Sequence, residues 1–162
     1  MRYMVTGDGN RHFEVINEQN APVGALDYQT WLPNRARMTT FGGIVYDIAP
    51  TGFWQMTMAV TRDDVPFAEL KRTPAVGMEV RLATGVVYTF RRKNLWQGYY
   101  SLENEVQEEM ATIYRTFNWR KFNFDYDIET FMPATDLQTD QLLPMLIVYC
   151  MRSMNVQHYG IF

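Results

Sequence analysis

An apolar run of ten residues, Leu142 to Met151, is the feature that most constrains the fold. In a helical conformation its apolar side chains would cover every side of the helix, not a single stripe, and such a helix has to be enclosed on all sides. The run has half of the roughly twenty residues that a helix needs to cross a bilayer. We therefore expect it to lie inside a protein core, in a chain that is not transmembrane.

Capping signals set the limits of this helix. Thr135 with Gln138 three residues later resembles a capping box. Asp136 and Asp140 are acidic residues near the positive end of the helix dipole. The pattern predicts a helix over about residues 136–155, with Pro144 in its first turn or at a kink. A last short strand over Val156 to Phe162 is also predicted.

The rest of the chain has a β pattern, with short alternating runs separated by turn residues every eight to twelve positions. The expected hairpins are 12–28, 43–60 with a turn at 49–52, and 78–91 with a turn at 83–85. Arg92 to Asn94 is expected to turn the chain into strand 98–102. The clearest strand is 121–128, with Phe122, Phe124, Tyr126 and Ile128 on the core side.

One segment, Val106 to Phe117, fits a helix as well as a strand by its pattern. Ile113, Tyr114 and Phe117 favour the strand on propensity. Taken together, the patterns predict one mostly-β domain over residues 1–162. We expect a closed or nearly closed antiparallel barrel of about 10–12 short strands around one C-terminal hydrophobic helix.

Composition excludes some classes of function. The net charge of −3 argues against nucleic acid as a partner, because phosphate binding requires a basic excess. A single cysteine, Cys150, cannot form an internal disulfide, and the first residues contain no apolar signal-peptide segment. We therefore expect a cytoplasmic protein without a cofactor. The sequence does not fix its oligomeric state.

In its arrangement of elements the chain resembles the tubby-like superfamily, in particular the phospholipid-scramblase and LURP-one-related branch. The residues that carry the resemblance are Val23–Leu26, Tyr46–Ile48, Gly52–Trp54, and Phe124–Ile128 leading into Leu142–Met151. The resemblance implies a closed β-barrel threaded by a hydrophobic C-terminal helix. It also implies either phosphoinositide binding through basic residues or an association with membranes and calcium.

Two clusters are candidate binding sites. The basic cluster Arg91, Arg92 and Lys93 lies close to Trp96 in sequence, and together with Lys71 and Arg72 it suits an anionic head group. The alternative interpretation of Arg91 to Lys93 is a solvated hairpin turn. Asp125, Asp127 and Glu129 alternate along one strand face and are weak candidates for calcium binding. Their alternative interpretation is the ordinary polar face of a strand.

No nucleophile–base pair or metal-ligand spacing is present in the sequence, so an enzyme is the least favoured class. The favoured hypothesis is a non-enzymatic module that binds an anionic lipid or a protein. The alternative is a carrier that holds a small hydrophobic ligand inside the barrel. The apolar helix discriminates between them, because a helix that fills the barrel leaves no room for a ligand.

Overall fold

The structure is a computed structural model that describes residues 1–29, 34–52, 56–73, 77–94, 96–134 and 136–156. Within these residues twelve antiparallel strands close into a barrel in which each strand pairs with its neighbours in sequence. The strands are β1 (Arg2–Asp8), β2 (His12–Asn17), β3 (Pro22–Tyr28), β4 (Ala36–Thr40), β5 (Val45–Thr51), β6 (Thr57–Arg62), β7 (Val65–Thr73), β8 (Gly77–Leu82), β9 (Val87–Asn94), β10 (Tyr99–Glu103), β11 (Glu109–Asn118) and β12 (Asn123–Thr130).

The barrel closes where β1 pairs with β12, with Tyr3 opposite Ile128 and Val5 opposite Tyr126. A single helix among the described residues, α1 (Leu137–Val156), follows β12. The prediction of a mostly-β, closed antiparallel barrel with one C-terminal helix is thus confirmed.

Alternation along the strands builds the core. Inner-face residues such as Phe13, Met58 and Phe90 are fully buried, and α1 is enclosed by them, because every side chain from Leu142 to Met151 is buried. Gly24 of β3 allows the helix to come close: a Cβ at this position would lie 2.9 Å from Met145 Sδ and 2.6 Å from Thr39 O. The Tyr149 hydroxyl donates a 2.6 Å hydrogen bond to Asn34 O and attaches the C-terminal half of the helix to the β3–β4 connection.

The helix begins with a different cap from the predicted one. Asp136 Oδ1 accepts a 2.7 Å hydrogen bond from Thr139 N, and Asp136 Oδ2 accepts one of 2.8 Å from Thr139 Oγ1. Asp136 is therefore the N-cap, while Thr135 lies outside the described residues. Val156 belongs to α1, so the predicted last strand does not begin there, and residues 157–162 also lie outside the described residues.

Several predicted boundaries were wrong. Strand β5 runs through Pro50, which pairs with Met58, so the turn does not lie at 49–52. The last pair between β4 and β5 is Ala36 with Ile48, so Pro50 lies beyond the end of β4, where a missing N–H is tolerated. Phe122 was placed in the core, but it lies in the turn before β12 with φ 50° and 77% of its surface exposed.

The other differences concern strand identity. The ambiguous segment forms β11 from Glu109 onwards, as its propensity favoured, and residues 106–108 belong to the preceding connection. Arg92 to Asn94 do not turn the chain. They continue β9, and the turn follows at residues 96–98, where Asn94 Oδ1 accepts hydrogen bonds from the N–H groups of Trp96 and Gln97. Strands β1, β4 and β7 were missed.

Candidate functional site

The connections at the two ends of the barrel carry charges of opposite sign. In an antiparallel barrel, connections from odd to even strands leave at one end and those from even strands leave at the other. In the sequence of the first set the only charged residues are basic: Arg11, Arg35, Arg120 and Lys121. In the second set, including the connection from β12 to α1, they are all acidic: Glu18, Asp63, Asp64, Glu105, Glu108 and Asp136. We call these the basic end and the acidic end.

The helix dipole fits this distribution. Helix α1 starts at the acidic end, where Asp136 caps it, and its last turns reach the basic end, where Arg152 Nη2 donates a 2.8 Å hydrogen bond to Asn10 O. Acidic groups are favourable near a helix N-terminus and basic groups near its C-terminus. The charge separation between the two ends is therefore compatible with a buried axial helix.

Large aromatic side chains project from the basic end. Trp96 is 95% exposed in the β9–β10 connection, and Trp119 and Phe122 are 76% and 77% exposed in the β11–β12 connection. The two connections lie at the same end of the barrel on either side of the paired strands β10 and β11, and Arg115 N of β11 donates a 3.1 Å hydrogen bond to Gly98 O. We call Trp96, Trp119, Arg120, Lys121 and Phe122 the basic-aromatic surface.

The β11–β12 tip is ordered by aromatic contacts. The ring of Phe117 packs edge-to-face against Trp119 at 4.7 Å between centroids and against Phe122 at 6.2 Å. Asn118 Oδ1 accepts a 3.1 Å hydrogen bond from Arg120 N inside the turn. The two exposed rings are thus held in one arrangement before any partner arrives, and the two cations lie between them in sequence.

The predicted basic cluster is divided between the two faces of β9. Arg91 and Lys93 lie on the outer face, and both bind Glu103 of β10: Lys93 Nζ lies 2.6 Å from Oε1, and Arg91 Nε lies 3.2 Å from Oε2. The Glu103 side chain is only 7% exposed. Burial raises the pKa of Glu103, but the hydrogen bonds and charges of Lys93 and Arg91 outweigh it and hold this pKa below its usual value. Arg91 and Lys93 are therefore the counter-ions of Glu103 within the barrel wall.

The remaining basic candidates do not join them. Lys71 is exposed on the outer face of β7. Arg72 shares the inner face of the strand with the buried Leu70 and points to the barrel interior. Arg72 Nη2 lies 3.4 Å from Asn34 Oδ1, and burial lowers the pKa of this guanidinium. Arg92 is half-buried opposite Tyr100 on the inner side of β9. Only Trp96 of the predicted set belongs to the basic-aromatic surface.

Two arginines that sequence reasoning missed lie near the barrel mouth at the basic end. Arg152 lies over the rings of Phe13 and Tyr28, at 4.6 and 4.9 Å from their centroids, and Arg115 lies 4.3 Å from the centroid of Phe124. No ion pair joins Arg72, Arg115 or Arg152 to a carboxylate in the described part of the chain. Their positive charge adds to that of the basic end. The available signal was that Arg115 shares the strand face of Ile113.

The acidic candidates line the outer face of β12. Asp127 forms a 2.9 Å ion pair with Arg2 Nη2, and Asp125 Oδ2 accepts a 2.8 Å hydrogen bond from Asn118 Nδ2, while Glu129 is exposed. Among the residues that the structure describes, no group of three or more His, Cys, Asp or Glu side chains is placed to hold a metal ion. Calcium requires six to eight oxygen ligands, and two of these three carboxylates, Asp125 and Asp127, already have other partners.

The barrel interior and the helix bear on two other hypotheses, a carried ligand and a helix that spans a membrane. Side chains from Leu142 to Met151 occupy the space that a carried ligand would need. Over the described residues, no helix is both long and apolar enough to span a bilayer. The surfaces that remain for binding are the outer wall and the two ends.

Comparison with known proteins gives one informative result. No protein-family model and no curated protein matches the sequence. A crystal structure of a protein from Arabidopsis thaliana matches with a TM-score of 0.62 over 95% of this chain and 91% of that chain, at 13% sequence identity. At this identity the similarity concerns the fold alone.

Proposed function

We propose that this domain is a cytoplasmic, non-enzymatic binding module that attaches to anionic membrane surfaces through its basic end. The observation that carries the proposal is the basic-aromatic surface, in which three large aromatic side chains are exposed beside Arg120 and Lys121. Tryptophan is favoured at the interface between water and hydrocarbon. Each Lys or Arg near an anionic leaflet contributes about 1 kcal/mol.

The charge separation gives the attachment a direction. The whole chain has a net charge of −3, so a uniform distribution would repel an anionic surface. Because the connections at the two ends have opposite signs, the field of the bilayer turns the basic end towards the lipid. The half-buried guanidinium groups of Arg72, Arg115 and Arg152 add to the positive potential of the basic end. None of the three forms an ion pair with a carboxylate of the described residues.

The proposed membership of the tubby-like superfamily agrees with this function, because that resemblance implies recognition of anionic head groups through basic residues. The cations proposed here differ from those expected from the sequence. Arg91 and Lys93 are bound to Glu103, whereas Arg120 and Lys121 lie at an exposed hairpin tip.

Co-sedimentation with vesicles tests the proposal. The protein is mixed with vesicles of phosphatidylcholine alone or with added phosphatidylserine, at low and at moderate salt, with and without calcium. We expect binding only to the anionic vesicles, weakened by salt and independent of calcium. Binding that appears only with calcium would shift the site to the acidic wall of β12.

Matched variants locate the contact. Arg120→Gln/Lys121→Gln removes two cations from the basic end and should cost about 2 kcal/mol, or roughly a 30-fold weaker partition. Trp119→Ala should weaken binding even at constant charge. Arg62→Gln/Arg81→Gln removes the same charge near the acidic end and should leave binding unchanged. Equal losses in the two double variants, or no binding to any vesicle, would exclude the proposal.

A further inference from the structure

A pocket of about 340 Å³ opens at the acidic end of the barrel. It lies where the β8–β9, β10–β11 and β12–α1 connections meet. Its floor is formed by the buried residues Tyr88 and Met110. Its walls are mostly apolar and include Val86, Val106 and Met132, and Val106 is 71% exposed. The volume is enough for one large aliphatic or aromatic side chain.

One carboxylate, Glu105, lines the pocket, and a second, Glu108, lies in the same connection. Glu105 and Glu108 are both exposed in the β10–β11 connection beside Val106. Glu105 Oε1 accepts a 2.9 Å hydrogen bond from Val87 N, and Glu108 Oε2 accepts one of the same length from Asn104 Nδ2. In the described part of the chain neither carboxylate has a lysine, arginine or histidine partner. Their negative charge is thus available to a ligand.

The β10–β11 connection is fixed by its own hydrogen bonds. Asn104 Oδ1 accepts from Val106 N at 3.1 Å and from Glu108 N at 2.9 Å, and Asn104 N donates to Glu108 O at 3.0 Å. These bonds fix the backbone of the connection that carries Glu105, Val106 and Glu108, without a partner. A preformed site loses less conformational entropy when it binds.

We infer that this pocket docks a basic segment of another protein, with one large apolar side chain in the pocket and lysine or arginine residues on either side of it. Charge complementarity selects this occupant, because the connections at this end carry six carboxylates and no cation in their sequence. A nucleic acid or an anionic lipid would be repelled by the same charges. The inference does not depend on the membrane proposal, because it concerns the opposite end of the barrel.

The probe for the test is the peptide acetyl-Lys-Lys-Leu-Lys-Lys-amide, titrated into the whole ¹⁵N-labelled protein and followed by NMR. We expect the largest shifts at the amides of Val87, Val106 and Met110. The same peptide with alanine in place of leucine should bind roughly tenfold more weakly, because it leaves the apolar pocket unfilled.

Charge-removing variants keep the fold while testing the two carboxylates. Glu105→Gln/Glu108→Gln retains an acceptor oxygen for Val87 N and for Asn104 Nδ2, and it should weaken binding roughly fivefold to tenfold. Asp63→Asn/Asp64→Asn is the matched control, since it removes two charges at the same end outside the pocket. Asn suits the positive φ of these positions, 50° and 63°, and binding should stay within about twofold.

Three results would overturn the inference. Equal binding of the leucine and alanine peptides, or equal losses in the two double variants, would mean attraction of any polycation without docking. Absence of shifts at the pocket amides would mean no site. Self-association of the protein alone in sedimentation, abolished by Glu105→Gln/Glu108→Gln, would assign the pocket to a second copy instead of a separate basic partner.

Discussion

An Arg91→Gln/Lys93→Met variant removes both cations that face Glu103 and leaves its carboxylate in a side chain that is only 7% exposed. Breaking a buried ion pair by removing one partner costs about 3–5 kcal/mol. The two cations are each 36% exposed, and the Ser101 hydroxyl remains 3.4 Å from Oε1. We therefore expect the lower limit, a loss of about 3 kcal/mol from a free energy of unfolding that is typically about 5–15 kcal/mol.

A third substitution separates charge from packing. Adding Glu103→Gln to the double variant removes the isolated charge and should recover most of the lost stability, although it deletes one more native group. If packing alone mattered, the triple variant would be less stable than the double variant. Unfolding in urea, followed by tryptophan fluorescence and far-UV circular dichroism, measures both.

The pH dependence provides a second readout. In the native protein the pKa of Glu103 is lowered, so its contribution to stability is present above the pKa of the unfolded chain and is lost as pH falls through the folded value. In the double variant only burial remains, and burial raises this pKa. The deficit against the native protein should then shrink as the pH falls from above the ordinary pKa of a Glu carboxyl, about 4.3, to below it. A loss under about 1 kcal/mol, or a deficit that does not change with pH, would refute the assignment of Arg91 and Lys93 as counter-ions.

Three further predictions concern the core and the wall. Ile147→Asp places an unpaired carboxylate at a 1% exposed position and should prevent folding, whereas Met4→Asp, at a 52% exposed position, should fold; a soluble, well-dispersed Ile147→Asp protein would contradict an enclosed α1. The Asp27 hydrogen bond raises the pKa of His12, so this pair stabilises the fold at low pH and its contribution is lost as pH rises through the folded pKa; Asp27→Asn should lower this pKa in an NMR titration of the imidazole. Burial raises the pKa of Cys150 to about 12, so labelling by a disulfide reagent should proceed only at the rate of unfolding, and labelling at the rate of a free thiol would show that the helix is accessible.

The central helix was predictable because its pattern has a single physical solution. A helix that is apolar on every side has to be enclosed, and strands that alternate around it make a barrel. The missed strands have a weaker signal. Strand β4 is only five residues long. Strand β7 carries Pro66 near its start, although Ala68 and Leu70 alternate with Glu69 and Lys71 as a strand requires.

The candidate site was harder to predict than the fold. The bond between Lys93 and Glu103 joins neighbouring strands whose register shifts between Tyr99 and Tyr100, and such a shift cannot be read from alternation alone. The end of the barrel at which a connection lies depends on the number of strands that precede it. Each missed strand moves every later connection to the opposite end, so the separation of basic from acidic connections becomes visible only when all twelve strands are placed.

The closure of the barrel between β1 and β12 has a consequence for the order of folding. The N-terminal amine donates a hydrogen bond to Thr130 O, 129 residues away, and the helix that fills the interior is encoded after every strand. During synthesis the inner faces of the strands therefore emerge before the element that covers them. Such long-range pairing slows folding and prolongs the exposure of apolar surface. The apolar faces of the twelve strands are thus open to association with other chains until α1 leaves the ribosome.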